Sequence, residues 1–223
     1  MNDKIRDVVE RTIDEFCLLF YEHPYLEYNE SGVHALFFHL LSENLFKNDI
    51  PLSSYYVYGD ISEQVSLVQK EYRMFGKCDK TKAASWDVCA LSVPLRSSID
   101  ITKENERKLP PYDYLEINSI VEFGLKANLQ HLEDDIRRLT HNECRAIGKF
   151  IVHLERFSDH FSGRDYPFTS RQEFPTEDIM KNFTKDNDIK IYYVRTNKID
   201  KSKQWVWKFY KGEMINLLKI FNK

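Results

Sequence analysis

A chain of 223 residues with 42% hydrophobic and 14% aromatic content has enough apolar material to bury one sizeable core, so a single domain over 1–223 is expected. Its formal net charge of -3 argues against a general nucleic-acid coat, and no apolar run approaches the roughly 18 residues a membrane span requires, so no membrane partner is expected. Cys17, Cys78, Cys89 and Cys144 are scattered without a Cys-x-x-Cys pair and with no secretory leader ahead of them, a pattern expected of reduced thiols in a cytoplasmic protein.

The charge is uneven. Residues 189–223 hold nine Lys/Arg against two Asp/Glu, a balance of +7 that leaves -10 for the first 188 residues. A basic end on an acidic body can steer an anionic partner, and it is equally the look of a solvated lysine-rich hairpin.

Apolar residues at Ile5, Val8, Val9, Ile13, Phe16, Cys17 and Phe20 recur at helical spacing and predict an N-terminal amphipathic helix over 3–21. Pro24 breaks it. Asn29 then caps a second helix with Glu30 in its first turn and a stripe of Val33, Leu36, Phe37, Leu40, Leu41 and Leu45. His34 and His39 fall on different faces and read as ordinary surface or packed histidines. After Pro51 the pattern turns to strands, one from Val65 to Phe75 and one from Ala84 to Val93, separated by a charged loop at 77–82. A polar loop covers 94–111, a strand follows over 117–128, and Asn128 caps a helix with Leu129, Leu132, Ile136 and Leu139 on one side and Glu133/Arg137 and Asp134/Arg138 pairs on the other. A further strand is predicted at 146–157, a long loop at 158–175, a short helix capped by Thr176, strands at 189–196 and 204–210, and a tail helix from Met214 to Phe221. The order argues for an α/β sandwich of three layers around a mixed sheet.

The strand 117–128 carries the chemistry. Side chains alternate along it, so Ile120, Glu122, Gly124 and Lys126 share one face and Val121, Phe123 and Leu125 the other. A carboxylate among apolar neighbours needs a partner, a metal or a water-lined cleft to offset its desolvation. Glu71 lies late in the first predicted strand and Asp87 early in the second. If adjacent strands bring Asp87 beside Glu122, two hard oxygen donors converge on one point, which outlines a Mg2+ (or Mn2+) site. Lys126 would then stabilise negative charge or position an attacking water. Plainer roles stand beside these: a same-face Glu122–Lys126 ion pair, Asp87 as a turn cap, Glu71 in a surface cross-strand pair, and Glu30 as a partner of the helix dipole.

At these residues the sequence resembles the PD-(D/E)XK nuclease superfamily, the restriction-endonuclease-like proteins. The resemblance covers about 29–157, with the N-terminal helix before this nuclease-like core and a basic strand/helix extension over 176–223 after it. It implies a core of helix, three strands, helix and strand, with Asp87 as the aspartate opening the second core strand and Glu122 as the acidic residue of the third. Glu30 and Glu71 match acidic positions on the first helix and first strand. The position two after Glu122 is Gly124, so the lysine arrives at Lys126, which is still on the Glu122 face. Glu116-Ile117-Asn118 is an alternative register for the same motif. The resemblance implies a Mg2+-dependent nuclease acting on DNA in defence or DNA processing, with Asp87 and Glu122 as metal ligands and Lys126 and Glu71 as catalytic groups. The other reading is a catalytically silent member of the fold serving as an interaction or nucleic-acid-binding module.

Candidate nucleic-acid contacts are Arg137, Arg138 and Arg145 around the helix after the motif, and Lys201, Lys203 and Lys208 in the basic-aromatic stretch 201–211. Trp205 and Trp207 suit base stacking, and with Phe209 they equally suit a half-buried edge strand. A homodimer would supply the two active sites that cutting both strands of a duplex requires.

Overall fold

The computed structural model describes residues 1–27, 29–58, 61–73, 85–97, 115–125, 129–142, 144–157, 176–197 and 204–221. Its first helices, α1 (Asn2–Glu22) and α2 (Glu30–Lys47), lie where the apolar periodicity sets them. Asn29 caps α2, its side chain accepting from the Gly32 N–H, so the entry to that helix is fixed by a local hydrogen bond.

The main sheet holds seven strands in the order β3 (Val68–Arg73), β4 (Ser85–Leu91), β5 (Ile117–Leu125), β6 (Gly148–Phe157), β7 (Lys190–Asn197), β8 (Trp205–Tyr210) and β9 (Glu213–Asn216). The β5–β6 and β6–β7 pairs are parallel and the rest antiparallel. Two helices make the parallel crossovers, α3 (Leu129–Thr140) and α4 (Glu177–Lys185), the latter capped by Thr176. The fold is thus α/β around a mixed, mostly antiparallel sheet.

The β5 strand is buried along nearly its whole length because helices cover both of its faces. On one face Phe123 meets Phe16 of α1 and Phe37 of α2 edge to face, at ring separations of 5.6 and 5.2 Å. On the other, Glu122 meets Arg138 of α3. Phe16, Phe37 and Phe123 are each at most 1% exposed, and burying such a ring is worth about 1.5–3 kcal/mol. These three rings clamp α1 and α2 to the strand that carries Glu122.

Two segments differ from the sequence expectation. The single strand predicted over 65–75 is divided: β1 (Ser53–Tyr58) and β2 (Ile61–Ser66) form a separate antiparallel hairpin, and β3 begins at Val68. Leu67 is the transfer point. Its N–H bonds back to Leu52, just ahead of β1, while its carbonyl accepts from Leu91 at the end of β4 in the main sheet. Adjacent Leu67 and Val68, both buried, interrupt the alternation at the break and are its local sign in the sequence. The tail helix predicted over Met214–Phe221 is β9 followed by the short α5 (Leu218–Phe221). Lys211 (φ 50°) and Gly212 (φ 77°) make a tight two-residue turn that returns the chain antiparallel to β8. The polar loops expected at 77–82 and 158–175 lie outside the described residues, as does most of the one at 94–111.

Among the described residues, no helix is long and apolar enough to cross a membrane. Cys17, Cys89 and Cys144 are free and buried; Cys78 lies outside the described residues.

Candidate functional site

Antiparallel pairing of Val88 with Val121 and Cys89 with Ile120 fixes the register of β4 on β5. One step farther the same register sets Asp87 across from Glu122. The Phe123 N–H donates to Asp87 Oδ2 at 2.8 Å, which orients that carboxylate. Asp87 is a quarter exposed and Glu122 is fully buried.

Two helices supply the walls. On α2, Glu30 and His34 are one turn apart and share a side. His34 Nε2 stands 3.6 Å from Asp87 Oδ2. On α3, His131 and Asp135 are likewise one turn apart, with 3.3 Å between Nε2 and Oδ2. Arg138 Nη2 lies 2.5 Å from Asp135 Oδ1 and 3.3 Å from Glu122 Oε1.

Electrostatically the cluster is acidic. Burial pushes the Glu122 carboxyl well above the usual range and the Asp87 charge pushes it further, against a smaller opposing pull from Arg138. Burial and Asp87 also raise Glu30. His131 is raised by its hydrogen bond to Asp135. Burial opposes the charge on Arg138, yet Glu122 and Asp135 together outweigh it and raise that group. Four carboxylates are thus set against Arg138 and His131, and neither oxygen of Glu122 has a hydrogen-bond donor at normal geometry.

Among the described residues, no group of three or more His, Cys, Asp and Glu is gathered closely enough to hold a metal ion. The pair Asp87 and Glu122 nonetheless fits a hard cation by its chemistry. Mg2+ is bound by one or two carboxylates while keeping several waters, and the donorless Glu122 oxygens are those that a cation would satisfy.

The remaining sequence candidates are dispersed. Lys126, Asn128, Lys201 and Lys203 lie outside the described residues. Glu71 has a φ of 53°, is two-thirds exposed, and sits 3.9 Å from Lys70, so the backbone turns it away from Asp87. Asn118 is buried and donates to the Asn2 carbonyl of α1, away from the carboxylates, which gives the Glu116–Asn118 register a structural task. Arg137 and Arg145 are exposed, Arg137 pairing with Asp134 at 3.1 Å rather than with Glu133. Arg138 turns inward to Glu122 and Asp135 instead of pairing with Asp134. Lys208 also turns inward, to Glu10 at 2.5 Å. Trp205 and Trp207 stack on each other at 4.5 Å, with the Arg195 guanidinium 4.9 Å from the Trp205 ring.

Sequence reasoning missed His34, His131 and Asp135 as members of this cluster. The signal was present: Asp135 falls on the apolar stripe of α3 beside Leu132, Ile136 and Leu139, and a carboxylate there needs a polar target. His34 falls likewise between the buried Val33 and Phe37. Comparison of the chain with protein-family models, with curated proteins and with solved structures finds no match in any of the three.

Proposed function

We propose that this chain is a metal-dependent nuclease that hydrolyses phosphodiester bonds in DNA, with Asp87 and Glu122 as ligands of a Mg2+ ion. The observation that carries the reading is the Glu122 carboxylate, buried without a hydrogen-bond donor beside a second acid. A fully buried acid beside a second, partly exposed one is costly in a merely structural role, and a divalent cation would remove the cost. The element order supports the same reading: α2, three antiparallel strands β3–β5, α3 and parallel β6 follow the sequence of parts that the PD-(D/E)XK resemblance implies for a restriction-endonuclease-like core.

When bound, the ion would supply a water of lowered pKa and polarise a phosphoryl oxygen. The chain's own residues do the rest. Asp87, its Oδ2 fixed by the Phe123 N–H, keeps Oδ1 for the cation. Glu122 supplies the second carboxylate from β5. The acidic walls repel a phosphodiester in the absence of a cation, so substrate binding depends on the ion. Lys126, just beyond β5, is assigned the stabilisation of charge developing on the phosphoryl group. The exposed Arg137 and the C-terminal basic stretch meet the nucleic-acid backbone.

The test is cleavage of plasmid and oligonucleotide DNA with MgCl2 or MnCl2 by the wild type and Asp87→Asn. Mutation of one ligand is expected to reduce cleavage at least about a hundredfold while the variant stays folded in chelator, melting no lower than wild type because one acid of the pair has lost its charge. Full Mg2+-dependent cleavage by the variant overturns the assignment. A second reading, a catalytically silent module on the same fold, is favoured by Arg138, which already lies against Glu122, and by Gly124 at the position where the resemblance calls for lysine. Such a module shows no metal-linked rise in melting temperature, whereas a working site is stabilised by mass action.

A further inference from the structure

We infer that the outer edge of β1 is a dimerisation surface, on which β1 of a second copy of this chain pairs antiparallel and joins the two β1–β2 hairpins into one continuous sheet. The inference draws on neither Asp87 nor Glu122 and is independent of the nuclease reading.

Among the described residues β1 pairs with β2 alone, and the two strands form a sheet of their own beside the seven-stranded one. A two-stranded sheet is marginal in water, and its outer edge presents unpaired N–H and C=O groups to any extended strand. The side chains of β1 add to this. Tyr55 and Val57 are 65 and 66% exposed and, two residues apart, share one face, while Tyr56 between them is buried. Across from them β2 sets the polar Gln64 and Ser62. The exposed face of the hairpin is therefore polar along β2 and apolar along β1, toward the outer edge.

Charge selects the partner. Natural edge strands are commonly guarded by charged side chains, and the other edge strands among the described residues carry them: Glu63 on β2, Lys70, Glu71 and Arg73 on β3, and Glu213 on β9. The β1 strand, Ser-Ser-Tyr-Tyr-Val-Tyr, has none. It offers nothing to hold an acidic or a basic peptide, and it meets its own copy with no like charges opposed. Its side chains are also self-complementary. When two copies pair with Tyr56 at the centre, Tyr55 of each lies opposite Val57 of the other, on the exposed face. Aromatic and β-branched residues set opposite each other are a stabilising pair in antiparallel sheets, and the two-fold relation makes that pair twice and closes the assembly at two copies.

Sedimentation velocity of the full chain, from about 1 to about 200 µM, tests this on wild type, Val57→Lys and Tyr55→Lys, with Ile215→Lys on the exposed β9 edge as control. Wild type is expected to pass from monomer to dimer with a Kd of about 10–100 µM, the weak range suited to a small strand-edge contact. Either β1 variant is expected to raise that Kd at least about tenfold, because each dimer loses both apolar pairs and gains charge at its seam, and Ile215→Lys to leave it within about twofold. Positions 55 and 57 are exposed, so lysine at either leaves the fold intact, which coincident melting curves check. A wild type that stays monomeric over the whole range overturns the proposal and leaves the β1 edge to a strand of another protein. A dimer that survives both β1 lysines, or that Ile215→Lys abolishes, overturns it as well.

Discussion

Two carboxylates, the partly buried Glu10 and the fully buried Glu122, show how differently one chain can treat the same side chain. Glu10 on α1 is clamped between Lys190 of β7 and Lys208 of β8, each at 2.5 Å from one of its oxygens. Burial pushes it up, but the two lysine hydrogen bonds outweigh burial and hold its carboxyl below the usual range. Glu122 on β5 is buried more deeply, has more acids near it, and is raised. The first arrangement sets Lys190 and Lys208 against Glu10, with Asp14 Oδ1 3.9 Å from the Lys208 ammonium, and it ties α1 to β7 and β8. In the second, both Glu122 oxygens lack a hydrogen-bond donor beside two further acids, Asp87 and Asp135, which makes it the candidate site.

The same substitution therefore has opposite signs at the two places. Glu10→Gln leaves two lysines half-buried without their acid, and is expected to lower unfolding free energy by about 2–4 kcal/mol. Glu122→Gln removes a charge that the ion-free fold tolerates poorly, and is expected to raise it by about 1–2 kcal/mol in chelator while abolishing stabilisation by added Mn2+. Urea midpoints of the two variants check both, at constant slope. A loss of stability in Glu122→Gln would mean that Arg138 satisfies Glu122 after all.

The pH dependence of those differences sharpens the contrast. A folded carboxyl pKa below the ordinary value of 4.5 means that the unfolded chain binds more protons, so the stability from Glu10 is present above 4.5 and is lost as pH falls through the folded value. A folded pKa above 4.5 reverses the sign, so Glu122 costs progressively more as pH rises from 4.5 toward its raised folded value. Both variants should approach wild type in acid and diverge from it in opposite directions on the way to pH 7. Urea midpoints collected every half unit of pH in chelator show whether the curves part or run together.

The elements around Glu122 could be read from sequence because each carries a local signature. Asn29 before a helical stripe, the apolar residues Ile120, Val121 and Phe123 around Glu122, and Thr176 ahead of a short helix all depend on neighbours within a few residues. What could not be read depends on residues far apart in the chain. The β1–β2 hairpin leaves only the adjacent apolar pair Leu67–Val68 as a local trace, because the hydrogen bonds of Leu67 to Leu52 and Leu91 that divide the strands are set by the tertiary fold. The charges behave likewise. Spacing along α3 pairs Asp134 with Arg138, but Arg138 turns toward Glu122, a residue on another element, and takes Asp135 with it. Glu71 and Asp87 sit on adjacent strands, yet a positive φ sends Glu71 to solvent. No periodicity records such a turn.

The smallest expected effect separates two adjacent arginines. Arg137 is exposed and pairs with the half-exposed Asp134 across one helical turn, a contact of the kind that contributes a few tenths of a kcal/mol. Arg137→Ala should accordingly move the urea midpoint by less than about 0.5 kcal/mol in stability. Its effect on nucleic acid should be separable from that. If α3 presents Arg137 to a backbone phosphate, DNA binding weakens uniformly across sequences, and the slope of log affinity against log salt falls by about 0.9, one phosphate contact. Arg138, by contrast, is held between Glu122 and Asp135, and its replacement should alter stability and metal affinity with no change in that slope. Fluorescence anisotropy with labelled duplexes over a range of KCl concentrations, using chelated protein with Ca2+ in place of Mg2+ to limit cleavage, measures both. An identical salt slope in wild type and Arg137→Ala would remove this face of α3 from the nucleic-acid path and leave the C-terminal basic stretch to supply it.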